Sequence, residues 1–276
     1  ERRIGLFPTA FDSEGQLYTS TGFADYPLII PQKRVKSPED LLSGWMLLSY
    51  NKAYEVSSSL HENPGAYAFD ENIKTYWSAR TGTPGEYIKV DLGAPVNVFA
   101  VQINYAEHNT DILGRDTSDY HQYLLLGSEN GKDWSVLKDK TENKECIPHD
   151  YVPFSNHVKV RFLKIVNCHV PDGTFALSGF RVFGKGNGSK PEEVKQVNVN
   201  RNNKDPRNVE LSWESSLNAM GYLIRFGTNK EKLYQSQIVY DSSFVKIRRL
   251  NEKQDYFFTV DAFNENGVAQ GEIIFN

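Results

Sequence analysis

Short runs of alternating apolar and polar residues make up most of the chain, and turn-forming residues separate them. An alternation with a period of two is typical of half-buried β-strands. It is clear in Tyr87–Gly93. We find no internal repeat, heptad pattern or low-complexity tract. The pattern predicts an all-β protein.

The middle of the chain, residues 45–186, is predicted to be a β-sandwich. The Asn130-Gly131 dipeptide between apolar runs is a strong hairpin signal. Many short strands with turn signals between them favour a sandwich. The strand candidates are Trp45–Ser49, Glu55–Ser58, Tyr87–Asp91, Val96–Tyr105, Gln122–Ser128, Ser135–Lys138, Tyr151–Phe154, Lys159–Val166 and Phe180–Gly184.

Residues 1–44 read as a hairpin followed by a connector. The hairpin turns at Asp12–Gly15, and the connector holds one helical turn that begins at Pro38. An isolated two-stranded hairpin is only marginally stable in water. This hairpin therefore needs a packing partner, and a domain that precedes residue 1 is the natural candidate. The chain begins with Glu rather than Met, so we expect it to be part of a longer protein.

The C-terminal part is predicted to be a second β domain. Residues 187–191, Asn-Gly-Ser-Lys-Pro, have the composition of a linker. Residues 192–276 follow it, and their strand candidates are Val209–Trp213, Gly221–Gly227, Phe244–Ile247 and Tyr256–Ala262. The total of 276 residues leaves room for two such domains.

Charge and composition exclude some classes of partner. The formal net charge is −4, and the lysines and arginines are scattered along the chain. Nucleic acid and anionic membranes are therefore poor partners. No apolar run approaches the length of a membrane-spanning helix. Cys146 and Cys168 either form a disulfide or remain two free, partly buried thiols.

The run Phe69–Arg80 contains a polar turn that could hold a cation. Asp70, Asn72 and Thr75 carry side-chain oxygens, the ligands that a hard cation such as Ca²⁺ prefers. The same residue types also close turns by hydrogen bonding to their own backbone. The residues alone leave both interpretations open.

Four sequence blocks resemble the discoidin family, and the resemblance covers roughly residues 46–185. This family includes the C-type domains of blood-clotting factors and carbohydrate-binding module family 32. The resemblance implies a jelly-roll β-sandwich with its ligand loops at one end. The blocks are Ala68–Asn72 with Thr75 and Trp77, Val90–Gly93, Tyr123 through Gly127–Gly131 with Trp134, and Phe180–Gly184.

The resemblance assigns candidate binding residues to the loops. Sugar-binding members use an aromatic ring and planar polar side chains, which implies a carbohydrate site at His61, Arg80, Tyr105, His108, Arg115 and Phe175. Aromatic residues are also common in the core, so each ring could instead be structural. The resemblance further implies a structural Ca²⁺ at Asp70, Asn72 and Thr75. Such members usually add a glutamate near the start of the last strand, where this chain has Gly179.

The ends of the chain carry two further resemblances. Residues 192–276 look like a fibronectin type III domain, with Trp213 in the core and Tyr256 at a tyrosine corner. The first 44 residues, with the run Gly44–Tyr50, are similar to the end of the propeller in glycoside hydrolase family 43 enzymes of Bacteroidetes. That family's catalytic carboxylates lie on earlier blades. The resemblance therefore implies a xylosidase- or arabinofuranosidase-type parent and no catalytic residue within this chain.

Together these features predict a non-catalytic accessory region of a secreted bacterial glycoside hydrolase. The discoidin-like domain would bind or orient the enzyme on a glycan or polysaccharide, and the type III domain would act as a spacer. The expected partners are the glycan and an upstream catalytic domain, and the expected location is periplasmic, cell-surface or secreted. The alternative is a structural or protein-interaction module with no sugar ligand.

Overall fold

The computed structural model describes residues 7–33, 35, 37–111 and 119–275. The chain divides into two compact units. Residues 47–185 form one unit, and the residues up to 46 together with those from 186 onward form the other. The second unit is therefore discontinuous in sequence.

The strands β1 to β10 come from the first two thirds of the chain. Two short 3-10 helices, Pro38–Leu41 and Gly65–Ala68, lie between them. The strands are β1 Thr9–Phe11, β2 Leu17–Thr19, β3 Met46–Leu47, β4 Ala53–Val56, β5 Trp77–Ser78, β6 Tyr87–Tyr105, β7 Gln122–Ser128, β8 Ser135–Asp139, β9 His149–His169 and β10 Ala176–Lys185.

One antiparallel sheet of eight strands builds the unit of residues 47–185. Its order is β3-β10-β6-β9-β7-β8, with β4 on β6 and β5 on β10. The pairing of β6 with β9 slips after Asp91 and again after Val98, which marks two bulges. Bulges bend a strand. The two long strands therefore contribute to both layers of the sandwich. Ile88 and Ile103, from opposite halves of β6, lie in the same hydrophobic core.

The bends explain a difference from the sequence prediction. The candidates Tyr87–Asp91 and Val96–Tyr105 are the two halves of β6, and Tyr151–Phe154 and Lys159–Val166 both lie in β9. Turn-forming residues such as Gly93 interrupt the alternation, but the hydrogen-bonded ladder continues past them. The all-β prediction is confirmed.

The C-terminal strands of the other unit form two sheets around a second core. This core contains Trp213 and Tyr222, whose rings meet edge-on at 5.0 Å between centroids. The sheet orders are β11-β12-β15 and β14-β13-β16-β17, with β18 on β16. The strands are β11 Asn198–Arg201, β12 Val209–Ser212, β13 Gly221–Gly227, β14 Gln235–Tyr240, β15 Phe244–Ile247, β16 Phe257–Asn264, β17 Gly267–Ala269 and β18 Ile274–Phe275.

The β1–β2 hairpin packs on this C-terminal sandwich. Tyr18 stacks on Tyr234 with 4.2 Å between ring centroids, and the ammonium of Lys232 lies 2.8 Å from the Asp12 carboxylate. The hydrogen bond from Lys232 holds the pKa of Asp12 well below its usual range. The sequence predicted an upstream packing partner for the hairpin. In the structure the C-terminal sandwich is a packing partner, because the loop between Gly227 and Gln235 offers an aromatic and a cationic side chain to the hairpin.

Two other features bear on earlier predictions. Cys146 and Cys168 are not disulfide-bonded, which decides the alternative that the sequence left open. Burial raises the pKa of the Cys168 thiol. Within the described ranges, no helix is both long and apolar enough to cross a membrane.

Candidate functional site

Four loops meet at one end of the unit of residues 47–185. They are tied by hydrogen bonds from the backbone N–H of Ala79 to the carbonyl of Phe175 at 2.9 Å, and from the N–H of Thr174 to the carbonyl of His108 at 3.1 Å. Strand β6 runs between the loop that precedes Tyr87 and the loop that follows Tyr105, and the loop of residues 170–175 follows the end of β9 at His169. The described parts of these loops are residues 57–64, 79–86, 106–111 with 119–121, and 170–175.

Arg80 stands exposed where two of these loops meet. Its backbone N–H donates to the hydroxyl of Ser58 at 3.0 Å, and its Nε donates to the carbonyl of Ser59 at 3.3 Å. The second bond fixes the base of the guanidinium group. A planar fork of donors with a fixed base is well suited to pairs of hydroxyls or to a carboxylate. His61 is also exposed and lies on the loop that holds Arg80.

His108 and Tyr76 form a polar pair in the same loop cluster. The Tyr76 hydroxyl and the His108 Nδ1 share a hydrogen bond of 3.0 Å, and both side chains are half-buried. Because this bond occupies Nδ1, the Nε2 of His108 is the ring nitrogen left for another contact. Sequence analysis named His108 but not Tyr76, because nothing in the sequence shows that residues 32 positions apart share a bond.

Two of the predicted sugar-contacting rings lie in the core. Phe175 is 1% exposed and meets Trp77 edge-on at 5.3 Å between centroids. Tyr105 is 6% exposed and stacks on His121 at 3.6 Å. Neither ring presents a face to solvent, so we remove both from the candidate contact surface. The physical reason is that each residue borders a strand where the neighbouring positions are buried as well, so its ring packs into the core.

The predicted residue Arg115 lies outside the described residues. The remaining candidates, Arg80, His61 and the Tyr76–His108 pair, keep polar groups in the loop cluster.

Glu86 holds the Arg80 loop in place. Its carboxylate accepts hydrogen bonds from the hydroxyls of Ser57, Ser58 and Thr81, the last at 2.8 Å. Burial acts to raise the pKa of Glu86, but the hydroxyl donors outweigh it and the pKa lies below its usual value. Sequence analysis missed this residue because its donors come from two separate loops.

Asp172 holds together the loop that contains Thr110 and the loop of residues 170–175. Its carboxylate accepts from the Thr110 hydroxyl at 3.0 Å and from the backbone N–H of Gly173 at 2.7 Å. Gly173 has a φ of +71°, and a Cβ on it would lie 2.2 Å from the carbonyl oxygen of His108. Only glycine fits this approach without a shift of the backbone.

The polar turn at Asp70 is closed by protein donors. One carboxylate oxygen of Asp70 accepts from the N–H of Asn72 at 2.9 Å, and the other accepts from the Thr75 hydroxyl at 2.7 Å. A Cβ at Gly179 would meet the Asn104 side chain at 2.9 Å. Within the described residues, no group of three or more His, Cys, Asp and Glu side chains could hold a metal ion. The donor set contains one carboxylate, already occupied, and does not fit a cation that needs six to eight oxygens.

A buried ion pair fixes the same turn from the other side. Glu71 has a φ of +55°, a conformation that non-glycine residues rarely adopt. Its carboxylate accepts from Arg181 at 3.0 and 2.9 Å, and the two side chains are 12% and 10% exposed. Arg181 also donates to the side-chain oxygen of Gln102 at 3.0 Å. Fork-to-fork pairing of this kind is geometrically specific.

Comparison with known proteins supports the discoidin-type resemblance for part of the chain. Residues 53–178 match the family described as the F5/8 type C domain, and this region is therefore a discoidin-like domain. The match covers slightly less than half of the chain. The type III and propeller resemblances stay predictions. No curated protein matches the chain.

Solved structures similar to the chain include several binding modules. Chitosan-binding module 1 of a chitosanase/glucanase from Paenibacillus sp. IK-5 is 22% identical, with a TM-score of 0.41 over 50% of this chain and 99% of the module. The family 32 module of NanJ from C. perfringens, in complex with galactose, is 17% identical, with a TM-score of 0.42 over 50% of this chain and 98% of that one.

Proposed function

We propose that the discoidin-like domain binds a glycan through its loop end. The observation that carries this proposal is Arg80, an exposed guanidinium whose base is hydrogen-bonded to the loop of residues 57–64. His61 and the Tyr76–His108 pair supply further polar groups in the same cluster. The match of residues 53–178 to the F5/8 type C family supports a binding role for loops at this end.

The chemistry of these side chains favours hydroxyl recognition. A guanidinium donates in a plane and an imidazole both donates and accepts, so together they match neighbouring hydroxyls on a sugar ring. Because the two candidate rings are buried, stacking adds less to binding than the resemblance implies. We expect a modest affinity, with a Kd of about 10 µM to 1 mM.

Substitution of Arg80 tests the proposal. We expect Arg80→Ala to weaken binding to the best ligand from a glycan array by about tenfold or more, because charge-assisted hydrogen bonds are lost. Isothermal titration calorimetry measures the change. Lys138→Ala, an exposed cation on β8, is the matched control and should bind like the unmodified protein. Equal affinity in the two variants would contradict this site, and an array without any bound glycan would contradict the function.

We also propose the wider role that the sequence predicts. The chain would be a non-catalytic accessory region of a secreted, cell-surface or periplasmic glycoside hydrolase of the xylosidase or arabinofuranosidase type. Residues 45–186 would bind the glycan, and residues 192–276 would be a type III spacer after the linker 187–191. In support, the Tyr256 hydroxyl accepts from the backbone N–H of Asn251 at 3.2 Å, the contact of a tyrosine corner.

One observation favours a protein contact at residues 1–44. Phe11 and Leu17 face each other across the β1–β2 ladder and are 69% and 59% exposed. Neighbouring exposed apolar side chains can form part of a protein contact. We propose that they face a catalytic propeller domain encoded upstream, and the encoding gene tests this. An upstream propeller with two Asp and one Glu in its centre is the expected result, and a coding sequence without one contradicts it.

We further propose that the Asp70 turn keeps its shape without Ca²⁺. Since both Asp70 oxygens already accept protein hydrogen bonds, a cation would have to displace them. Adding millimolar CaCl₂ or EDTA should leave the melting temperature unchanged to within about 1 °C. Differential scanning calorimetry measures this. A rise of several degrees with CaCl₂ that EDTA reverses would show that the turn binds calcium.

A further inference from the structure

A cleft of about 270 Å³ lies between the N-terminal segment and the C-terminal sandwich of the discontinuous unit. One wall is the outer face of β13, β14 and β16, and the other is formed by residues 20–23 with Glu39 and Leu42. Three apolar side chains line the cleft, those of Leu223, Leu233 and Val268. A cleft of this size lies just below the usual range for ligand pockets, about 300 to 1,000 Å³, and suits a single ring or an amino acid.

Arg225 is the cationic group of the cleft, and a buried carboxylate fixes it. Its Nε donates to Asp261 at 2.7 Å, and Asp261 is 1% exposed. The second oxygen of Asp261 accepts from the backbone N–H of Gly271 at 3.0 Å. Both oxygens are thus engaged, and the side chain of Arg225 remains 33% exposed. Among the described residues, no hydrogen bond is seen from the two terminal amino groups of Arg225.

The opposite wall supplies acceptors and hydroxyls. One oxygen of the Glu39 carboxylate accepts from the Ser37 hydroxyl at 2.7 Å. The hydroxyl of Thr21 on this wall shares a hydrogen bond of 2.7 Å with the hydroxyl of Ser236 on β14, which belongs to the first wall. A cation on one wall and an anion on the other, over apolar side chains, match a small molecule with an acid group and a hydrogen-bond donor at separate positions.

We propose that this cleft binds a small carboxylate-bearing molecule that also carries a hydroxyl or ammonium donor. The carboxylate pairs with the terminal amino groups of Arg225, and the donor contacts Glu39. Free uronic acids and free amino acids share this chemistry. The site is separate from the loop end of the discoidin-like domain and does not depend on the glycan-binding proposal.

Titration of the full chain with two sets of compounds tests the proposal. One set is D-glucuronate and D-galacturonate, and the other is leucine and phenylalanine; D-glucose is the neutral control. Protein NMR follows the amide signals of residues 20–23 and the Arg225 Nε–H. We expect saturable shifts with one set at concentrations up to about 10 mM and none with D-glucose. The set that binds identifies the source of the ligand, and shifts with neither set overturn the proposal.

Two variants separate binding from folding. Arg225→Lys keeps a positive charge beside Asp261 but loses the planar fork, and should weaken binding by about tenfold or more. Ser20→Phe fills the cleft from the other wall and should abolish the shifts. Arg207→Lys, at a surface arginine paired with Asp205 at 2.7 Å, is the matched control and should bind normally. Unchanged affinity in folded Arg225→Lys and Ser20→Phe variants would overturn the assignment.

Discussion

Replacing Trp77 with alanine is expected to lower the free energy of unfolding of the discoidin-like domain by about 4 kcal/mol. Trp77 is fully buried, and its ring meets Phe175 at 5.3 Å between centroids. Its Nε1 also donates to the carbonyl of Ser58 at 3.3 Å. The substitution would leave a large cavity under the loops and an unsatisfied carbonyl. A value at the upper end of the range for core substitutions is therefore expected.

Guanidinium-induced unfolding, followed by circular dichroism, measures the effect of Trp77→Ala. Trp134→Ala is the matched control, since Trp134 is only partly buried and lies under the ammonium of Lys164 at 5.3 Å from its ring centroid. We expect that control to cost about 1 kcal/mol. A loss in Trp77→Ala no greater than in Trp134→Ala would show that Trp77 does not support the loop end.

Replacing Arg181 with methionine is expected to destabilise the same domain by about 3 to 5 kcal/mol. The substitution leaves the Glu71 carboxylate buried without its cation, in a turn whose backbone already has a φ of +55°. It also removes the donor to Gln102. The unpaired buried charge accounts for most of the lost stability. Methionine retains most of the volume of the arginine side chain, so the cost of a cavity is small.

A double-mutant cycle tests whether the pairing is the cause. In the double variant Arg181→Met, Glu71→Gln, the buried charge is gone, so part of the lost stability should return. Arg161→Met is the matched control. Arg161 also binds a carboxylate, Asp91, at 2.7 Å, but this pair is 39% and 23% exposed and should contribute about 1 kcal/mol or less. If the double variant is as unstable as the sum of its single variants, the ion pair is not what holds the turn.

Most of the strands could be predicted from local sequence. Gln122–Ser128, Gly221–Gly227 and Phe244–Ile247 have the observed bounds, because each is a short run rich in apolar residues that polar or turn-forming residues enclose. The short strand Trp77–Ser78 was missed, since two residues show no period. Gln235–Tyr240 was missed as well. Its residues do not alternate between buried and exposed positions.

The site was predictable only in part. Arg80 and His61 were predicted on exposed loops, where the structure places them. Tyr105 and Phe175 have the right residue type for a sugar platform, but burial decides whether a ring is available. The sequence at the end of a strand does not show whether an aromatic side chain there faces the core or the solvent. The supporting carboxylate of Glu86 depends on hydroxyls from two loops, and such long-range contacts leave no local pattern.

The sequence by itself determined the all-β class, the discoidin-like region and the polar turn at Asp70, because period, turn chemistry and motif spacing are local properties. Only the tertiary structure decided that two long strands bend through both layers, that the hairpin packs on the C-terminal sandwich, and that the Asp70 turn is closed by Thr75 and by the Arg181–Glu71 pair. These outcomes depend on contacts between residues far apart in the chain. Their energies follow from burial and geometry that no single segment contains.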